Sequence, residues 1–187
     1  MSTAPYEQAI ATTKEVLAGV KPEQLGADTP CVSWKVSDLV NHVVGGQYYF
    51  CRLAKGEPMG DNTSTDFAAG DFSATFEQGS TASLAAFNAD GAMEKIMHLP
   101  WGDMPGSAFV GLAAVDTFVH AWDLARATGQ NTDLNPQLAA GLLAGARTEI
   151  APEFRGADGV APFGPEQTAP AGASKADELA AFLGRTI

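Results

Sequence analysis

The chain is poor in the residues that carry most protein chemistry. In 187 residues it has two cysteines, three histidines and only eleven lysines and arginines, against twenty-two aspartates and glutamates. The net charge of -11 repels phosphate backbones and anionic headgroups, so nucleic acids and membrane surfaces are set aside as partners. No run of about 20 apolar residues occurs, and no membrane span is expected. Met1 to Glu7 has no basic segment followed by an apolar one, so no signal peptide is expected. Cys31 and Cys51 do not form a Cys-x-x-Cys pair, and a cytoplasmic address with reduced thiols is the simplest reading. There is no Gly-x-Ser-x-Gly elbow and no glycine-rich phosphate loop, and neither cysteine has an activating neighbour in sequence.

What is present reads as one helical domain over residues 1–187. Apolar residues make up 45% of the chain, enough for a sizeable core. A first helix is expected from about Pro5 to Gly19, closed by Gly19 and Pro22. Lys21 to Ser33 reads as loop. A second helix runs from near Trp34–Ser37 to Lys55–Gly56, interrupted by Gly45–Gly46, where paired glycines would allow a close approach. After a polar connection to Asp71, Phe72 to Ala89 reads as a third helix, weakened by Gly79–Ser80. Met93 to Leu99 alternates like a short strand, and Pro100 to Gly106 reads as a turn. A fourth helix follows from about Ser107 to Thr128, capped by Gly129. Asn135–Pro136 opens a fifth helix reaching about Ile150. The Pro/Gly-rich stretch Ala151 to Gly172 is expected to wrap the surface. Ser174 caps a last short helix, Lys175 to Leu183. The fold class is mostly α: a four-helix bundle with one small extended element and an irregular C-terminal segment.

The chemistry concentrates in Asp116-Thr117-Phe118-Val119-His120-Ala121-Trp122-Asp123. On a helix four residues turn about 400°, so Asp116 and His120 share a face, roughly 40° apart. Burying an ionised carboxylate is costly unless it is paired or bound to a metal. His42 sits in the second helix beside Leu39 and Val43, which points it inward. His42, Asp116 and His120 from two facing helices would make a nitrogen/oxygen set suited to Zn, Ni or Fe(II), with at least one position open for catalysis. The competing reading is a hydrogen-bonded core histidine with a paired Asp. Asp38 stands in a first helical turn, where carboxylates are favoured for structural reasons. His98 is expected to be structural or solvent-facing. Asp123 is either an acceptor that orients a ligand histidine or an ordinary ion-pair residue. Arg52 and Arg126 are candidate anchors for an anionic ligand, with surface ion pairing as the alternative. Trp34, Trp101 and Trp122 read as core rather than pocket wall.

Thr29-Pro30-Cys31-Val32-Ser33-Trp34 through His42 to Gly46 resembles the start of the DinB-like metal-binding proteins of actinobacteria. That group includes the metal-binding domain of mycothiol-dependent maleylpyruvate isomerase, to which the isomerase adds a C-terminal domain. Leu99-Pro100-Trp101-Gly102, the segment Asp116 to Gly129, and the ending Phe182-Leu183-Gly184-Arg185 are similar to further signatures of the same family. The resemblance implies a bundle holding a divalent metal on His42, Asp116 and His120. The isomerase relatives place a Glu where this chain has the shorter Asp116.

Together these readings lead to a protein binding one divalent ion (Zn, Ni or Fe). It would act with a small thiol such as mycothiol as a transferase or isomerase on a small electrophilic molecule. The alternatives are a non-catalytic, metal-loaded ligand-binding or stress-associated bundle, a purely structural bundle, and, more distantly, an oxygenase of the two-His-one-carboxylate kind. A homodimer is the default assembly on the commonness of symmetric pairs.

Overall fold

A computed structural model describes residues 2–58, 65–99, 102–157 and 160–187. Six α-helices account for most of it: α1 Ala4–Ala18, α2 Val36–Lys55, α3 Phe72–Phe87, α4 Gly106–Thr128, α5 Pro136–Glu149 and α6 Lys175–Phe182. A two-stranded antiparallel hairpin, β1 Ile96–Leu99 with β2 Gly102–Pro105, leads into α4. Helices α2 and α3 pack together, as do α1 and α4, and contacts of α2 with α4 and of α1 with α3 close the bundle. Helices α5 and α6 pair with each other and lie against α4. Helix α4 is therefore enclosed by other helices. It is long and apolar enough to cross a membrane, yet most of it is buried in the protein, as expected for a central core helix.

Local chemistry accounts for the helix ends. Asn135 caps α5 by accepting from the Leu138 amide, and Ser174 caps α6 by accepting from the Asp177 amide. Asp38 accepts from the Lys35 amide, so its role at the start of α2 is the structural one. Gly56 and Gly129 end α2 and α4 in the left-handed conformation that glycine tolerates best.

Three local expectations change. The glycine pair Gly45–Gly46 does not interrupt α2, which is continuous; a Cβ on Gly45 would lie 3.3 Å from the Phe67 ring, so it admits that side chain. Gly79 does not weaken α3 for a similar reason. A Cβ there would lie 2.9 Å from the Tyr48 ring and 3.0 Å from the Gln47 Cβ, so the missing side chain lets α2 and α3 close up. The segment Gly102–Pro105, read as turn, is a strand, because Met104 and Asp103 pair with Met97 and His98 in register. Pro105 lacks an N–H and sits at the last pair of this two-stranded sheet, where no further ladder bond is required. Pro100 and Trp101 lie outside the described residues.

One polar seam ties all four bundle helices. The Tyr6 hydroxyl of α1 donates to Gln47 Oε1 of α2 at 2.6 Å and shares a 2.7 Å bond with Ser83 Oγ of α3. Gln47 Nε2 donates to Thr117 Oγ1 of α4 at 3.2 Å. All four side chains are at most 1% exposed, so each unmet hydrogen bond would cost its desolvation. Removing the shared hydroxyl in Tyr6→Phe is expected to lower stability by about 1–3 kcal/mol. Equilibrium unfolding in denaturant reads this directly; an unchanged midpoint would show that the seam is not structural.

Candidate metal centre

His42, in the middle of α2, and Asp116 and His120, in the middle of α4, meet across the helix pair. His42 Nε2 lies 3.4 Å from Asp116 Oδ1, and His120 Nε2 lies 3.5 Å from the same oxygen. These separations exceed the range of a good hydrogen bond to nitrogen, about 2.7–3.2 Å. They match the edge of a tetrahedron whose ligands sit about 2.1 Å from its centre, roughly 3.4 Å. The ligand atoms of all three residues lie within 4.8 Å of one another. The two imidazoles meet edge-on with centroids 4.6 Å apart, and the Trp34 indole lies 4.7 Å from the His42 ring. His120 is buried, while His42 and Asp116 keep partial exposure toward a cavity. The arrangement leaves donor atoms converging on one point with an open side.

Behind His120 stands a second set of contacts. Asp123, one turn further along α4, is 0% exposed and takes a 2.9 Å bond from His120 Nδ1. An ionised carboxylate can only accept, so Nδ1 carries the proton and Nε2 keeps its lone pair facing Asp116 and His42. Arg185, from the chain's end, donates to both oxygens of Asp123, at 3.2 Å from Nε and 2.8 Å from Nη2. The Cys31 thiol donates to Asp123 Oδ2 at 3.3 Å. One buried carboxylate thus receives an imidazole, a guanidinium and a thiol.

The proton affinities follow this layout. Burial works against the charge on Asp123, but Arg185 and His120 outweigh it and hold its carboxyl at about 2. Burial also works against Asp116, and the two imidazoles outweigh it, keeping Asp116 ionised. His120 is held below its ordinary value by burial and by His42, so it stays neutral, as a ligand imidazole must. Burial opposes protonation of His42, yet the Asp116 charge beside it prevails and raises its pKa. Burial and the Asp123 carboxylate push the Cys31 thiol up to about 12, so Cys31 is a proton donor here and not a nucleophile.

The open side of the cluster faces a cavity of about 580 Å³. Phe50, Phe109, Leu112 and Val119 form its apolar wall, and Trp34 with the Cys31 loop forms its rim. The far side is built by Gly156, Ala157, Ala161 to Pro165, and Leu183 to Arg185. The Pro/Gly-rich stretch therefore does not merely wrap the surface; it closes the site. Arg155 fastens it, with Nη1 donating to the Gly164 and Phe182 carbonyls at 3.1 and 2.7 Å.

The remaining candidates separate cleanly. His98 is exposed on the hairpin and bonds Asp103 at 2.9 Å, consistent with a local role. Arg52 and Arg126 are exposed and do not line the cavity, so neither anchors a ligand there. Trp122 is core, with its Nε1 donating to Asp177. Trp34 is not core but cavity rim, because the loop preceding α2 lays its indole over the two imidazoles. Trp101 lies outside the described residues. Arg185 and Cys31 went unassigned in sequence reasoning. The one available signal was an Asp three residues after a His inside an apolar helix, which demands a buried counter-charge from somewhere.

Fold and site together define a helical-bundle protein of the DinB-like kind, with a His–Asp–His cluster opening into a cavity. The family model of the mycothiol maleylpyruvate isomerase N-terminal domain matches residues 6–125, and the chain belongs to that family. Two proteins from two strains of Mycobacterium tuberculosis, each described as uncharacterized, are 42% identical to it over 172 residues, covering 92% of this chain and 91% of theirs. Among solved structures, the mycothiol-dependent maleylpyruvate isomerase is similar at a TM-score of 0.56 and 17% identity, covering 65% of this chain and 58% of that one. A histidine-to-alanine mutant of the isomerase is similar at a TM-score of 0.60 and 17% identity, covering 82% of this chain and 72% of the other. At that identity the likeness is one of fold.

The Arg185–Asp123 pair has a pH signature. The folded pKa of Asp123 lies below its unfolded value of about 3.9, so its contribution is fully present above that value and is lost as pH falls through about 2. Arg185→Met leaves the carboxylate buried without its counter-charge, at an expected cost of about 3–5 kcal/mol near neutral pH. Thermal unfolding of both proteins from pH 7 to pH 2 checks this. Equal stability of the two at pH 7 would contradict the buried pair.

Proposed function

We propose that this chain binds one divalent metal ion through His42, Asp116 and His120 and works with a small thiol of the mycothiol kind, as a transferase or isomerase. The observation that carries the reading is the spacing of the donors, longer than a good hydrogen bond and right for shared coordination, with Asp123 fixing the His120 tautomer. The nitrogen/oxygen donor set suits Zn, Ni or Fe(II). A bound divalent ion would lower the pKa of a thiol and so supply thiolate at neutral pH.

The protein's own residues have defined parts in this reading. Asp123, held in place by Arg185, orients His120, while burial and the neighbouring His42 keep that imidazole neutral. Asp116 contributes one negative charge. Trp34 and the segment Ala161 to Pro165 restrict water at the open side. The apolar wall of Phe50, Phe109, Leu112 and Val119 receives the second substrate. The thiol is assigned from the family's name, and the site fits it because the cavity holds no competing nucleophile: Cys31 is protonated and committed to Asp123. The family's isomerase activity on maleylpyruvate does not come with the fold alone. A cytoplasmic location, where small thiols are abundant, accords with the reading.

The test is metal content after reconstitution, read by elemental analysis. Wild-type protein is expected to hold close to one equivalent of metal, and His42→Ala and His120→Ala to lose it on dialysis. Asp123→Asn, which keeps the shape and loses the charge, should weaken binding by about 10–100-fold. Metal retained equally by all three variants would overturn the ligand set. Conjugation of a thiol to an electrophile by the loaded wild type separates an enzyme from a non-catalytic, metal-loaded binding protein.

A further inference from the structure

The cavity has almost no charge to offer a ligand. All eleven lysines and arginines fall within the described residues, and Arg185 alone among them lines the cavity. Arg185 is committed to Asp123: Nε and Nη2 hold its two oxygens, and Nη1 donates to the Leu183 carbonyl at 3.1 Å. Arg155, next in sequence to the wall residue Gly156, is not part of the lining: its guanidinium lies over the Phe182 ring at 4.3 Å and its Nη1 is taken by the Gly164 and Phe182 carbonyls. Arg185 cancels Asp123. A divalent ion exceeds the Asp116 charge by one, and a bound thiolate takes up that one. No unpaired cation lines the cavity to compensate a carboxylate or phosphate on a second substrate, and the net charge of -11 adds to the penalty.

We infer that the cavity selects an uncharged, largely apolar electrophile as second substrate and rejects anionic ones of the same size. This rests on the metal–thiol reading above and names its substrate class. The wall of Phe50, Phe109, Leu112, Val119 and Phe163 is complementary to such a molecule. Addition of the thiol to an uncharged activated alkene balances without a co-reactant. Sulfur bonds one alkene carbon, the π pair shifts to the other, and that carbon takes the proton the thiol gave up.

Two fluorescent dyes of nearly equal size test the selection: neutral phenylnaphthylamine and its anionic relative anilinonaphthalene sulfonate. Both are titrated against the full, zinc-reconstituted chain with the neutral thiol 2-mercaptoethanol present, so that a thiolate takes up the remaining charge of the metal. The neutral dye is expected to bind at least tenfold more tightly. Leu112→Arg, in the wall, and Val32→Arg, at a cavity-lining position that is 89% exposed and tolerant of a long side chain, each add one cation. Each should shift the ratio of the two affinities at least tenfold toward the sulfonate. Equal or tighter sulfonate binding by the wild type, or an unmoved ratio in both variants, overturns the inference. Metal content is read on the same samples. Lost selection with metal in place overturns the substrate class alone, whereas a chain that takes up no zinc overturns the reading beneath it.

Discussion

The carboxylate of Asp123 has no solvent contact and accepts from three directions: an imidazole of its own helix, the guanidinium of Arg185 and the thiol of Cys31. These partners come from segments far apart in the chain. Cys31 belongs to the loop before α2, and Arg185 stands two residues from the C-terminal Ile187. An ionised group buried this deeply is tolerated only with its full set of partners. The same contact therefore sets the His120 tautomer, seats the Cys31 loop and pins the tail over the cavity. Site geometry and chain closure depend on one set of hydrogen bonds.

Around this point the bundle divides its labour. Tyr6, Gln47, Ser83 and Thr117 form a neutral, fully bonded seam that fixes the helices relative to one another. The charged groups lie apart from it, on the faces of α2 and α4 toward the cavity. Small residues at Gly45 and Gly79 let neighbours approach closely, so the helices that carry His42 and Asp116 are held by packing and need no long loop to place them. The C-terminal third supplies the outer wall, with Arg155 bonding two backbone carbonyls across it.

Much of this was legible in the residues. Helical periodicity, Asn135, Ser174, Gly56 and Gly129 located the elements, and the Asp116–His120 spacing with an inward His42 located the cluster. Other features were not legible, for physical reasons. A glycine inside a helix costs propensity whether or not it serves packing, so Gly79 looked like a weak point and Gly45–Gly46 like an interruption, although the close approach expected at that pair is the one Phe67 makes. Pro105 and Gly102 favour turns, and only the pairing with β1 makes them strand. The cavity's far wall comes from a segment without periodicity, and its placement depends on the long-range contacts of Arg155 and Arg185. The cations Arg52 and Arg126 lie within about three helical turns of the motif residues in sequence. The one that mattered came from the far end of the chain, because charge compensation is decided by distance in space.

The central claim is that His42, Asp116 and His120 share one metal ion. A second set of donor atoms, from Cys31, His120 and Asp123, lies just as close together and competes for the same role. X-ray absorption spectroscopy of the zinc-loaded chain separates them. Two imidazole nitrogens and a carboxylate oxygen at about 2.0–2.2 Å, with no sulfur in the thiol-free protein, is the predicted shell. A sulfur scatterer at about 2.3 Å that disappears in Cys31→Ser would contradict the account.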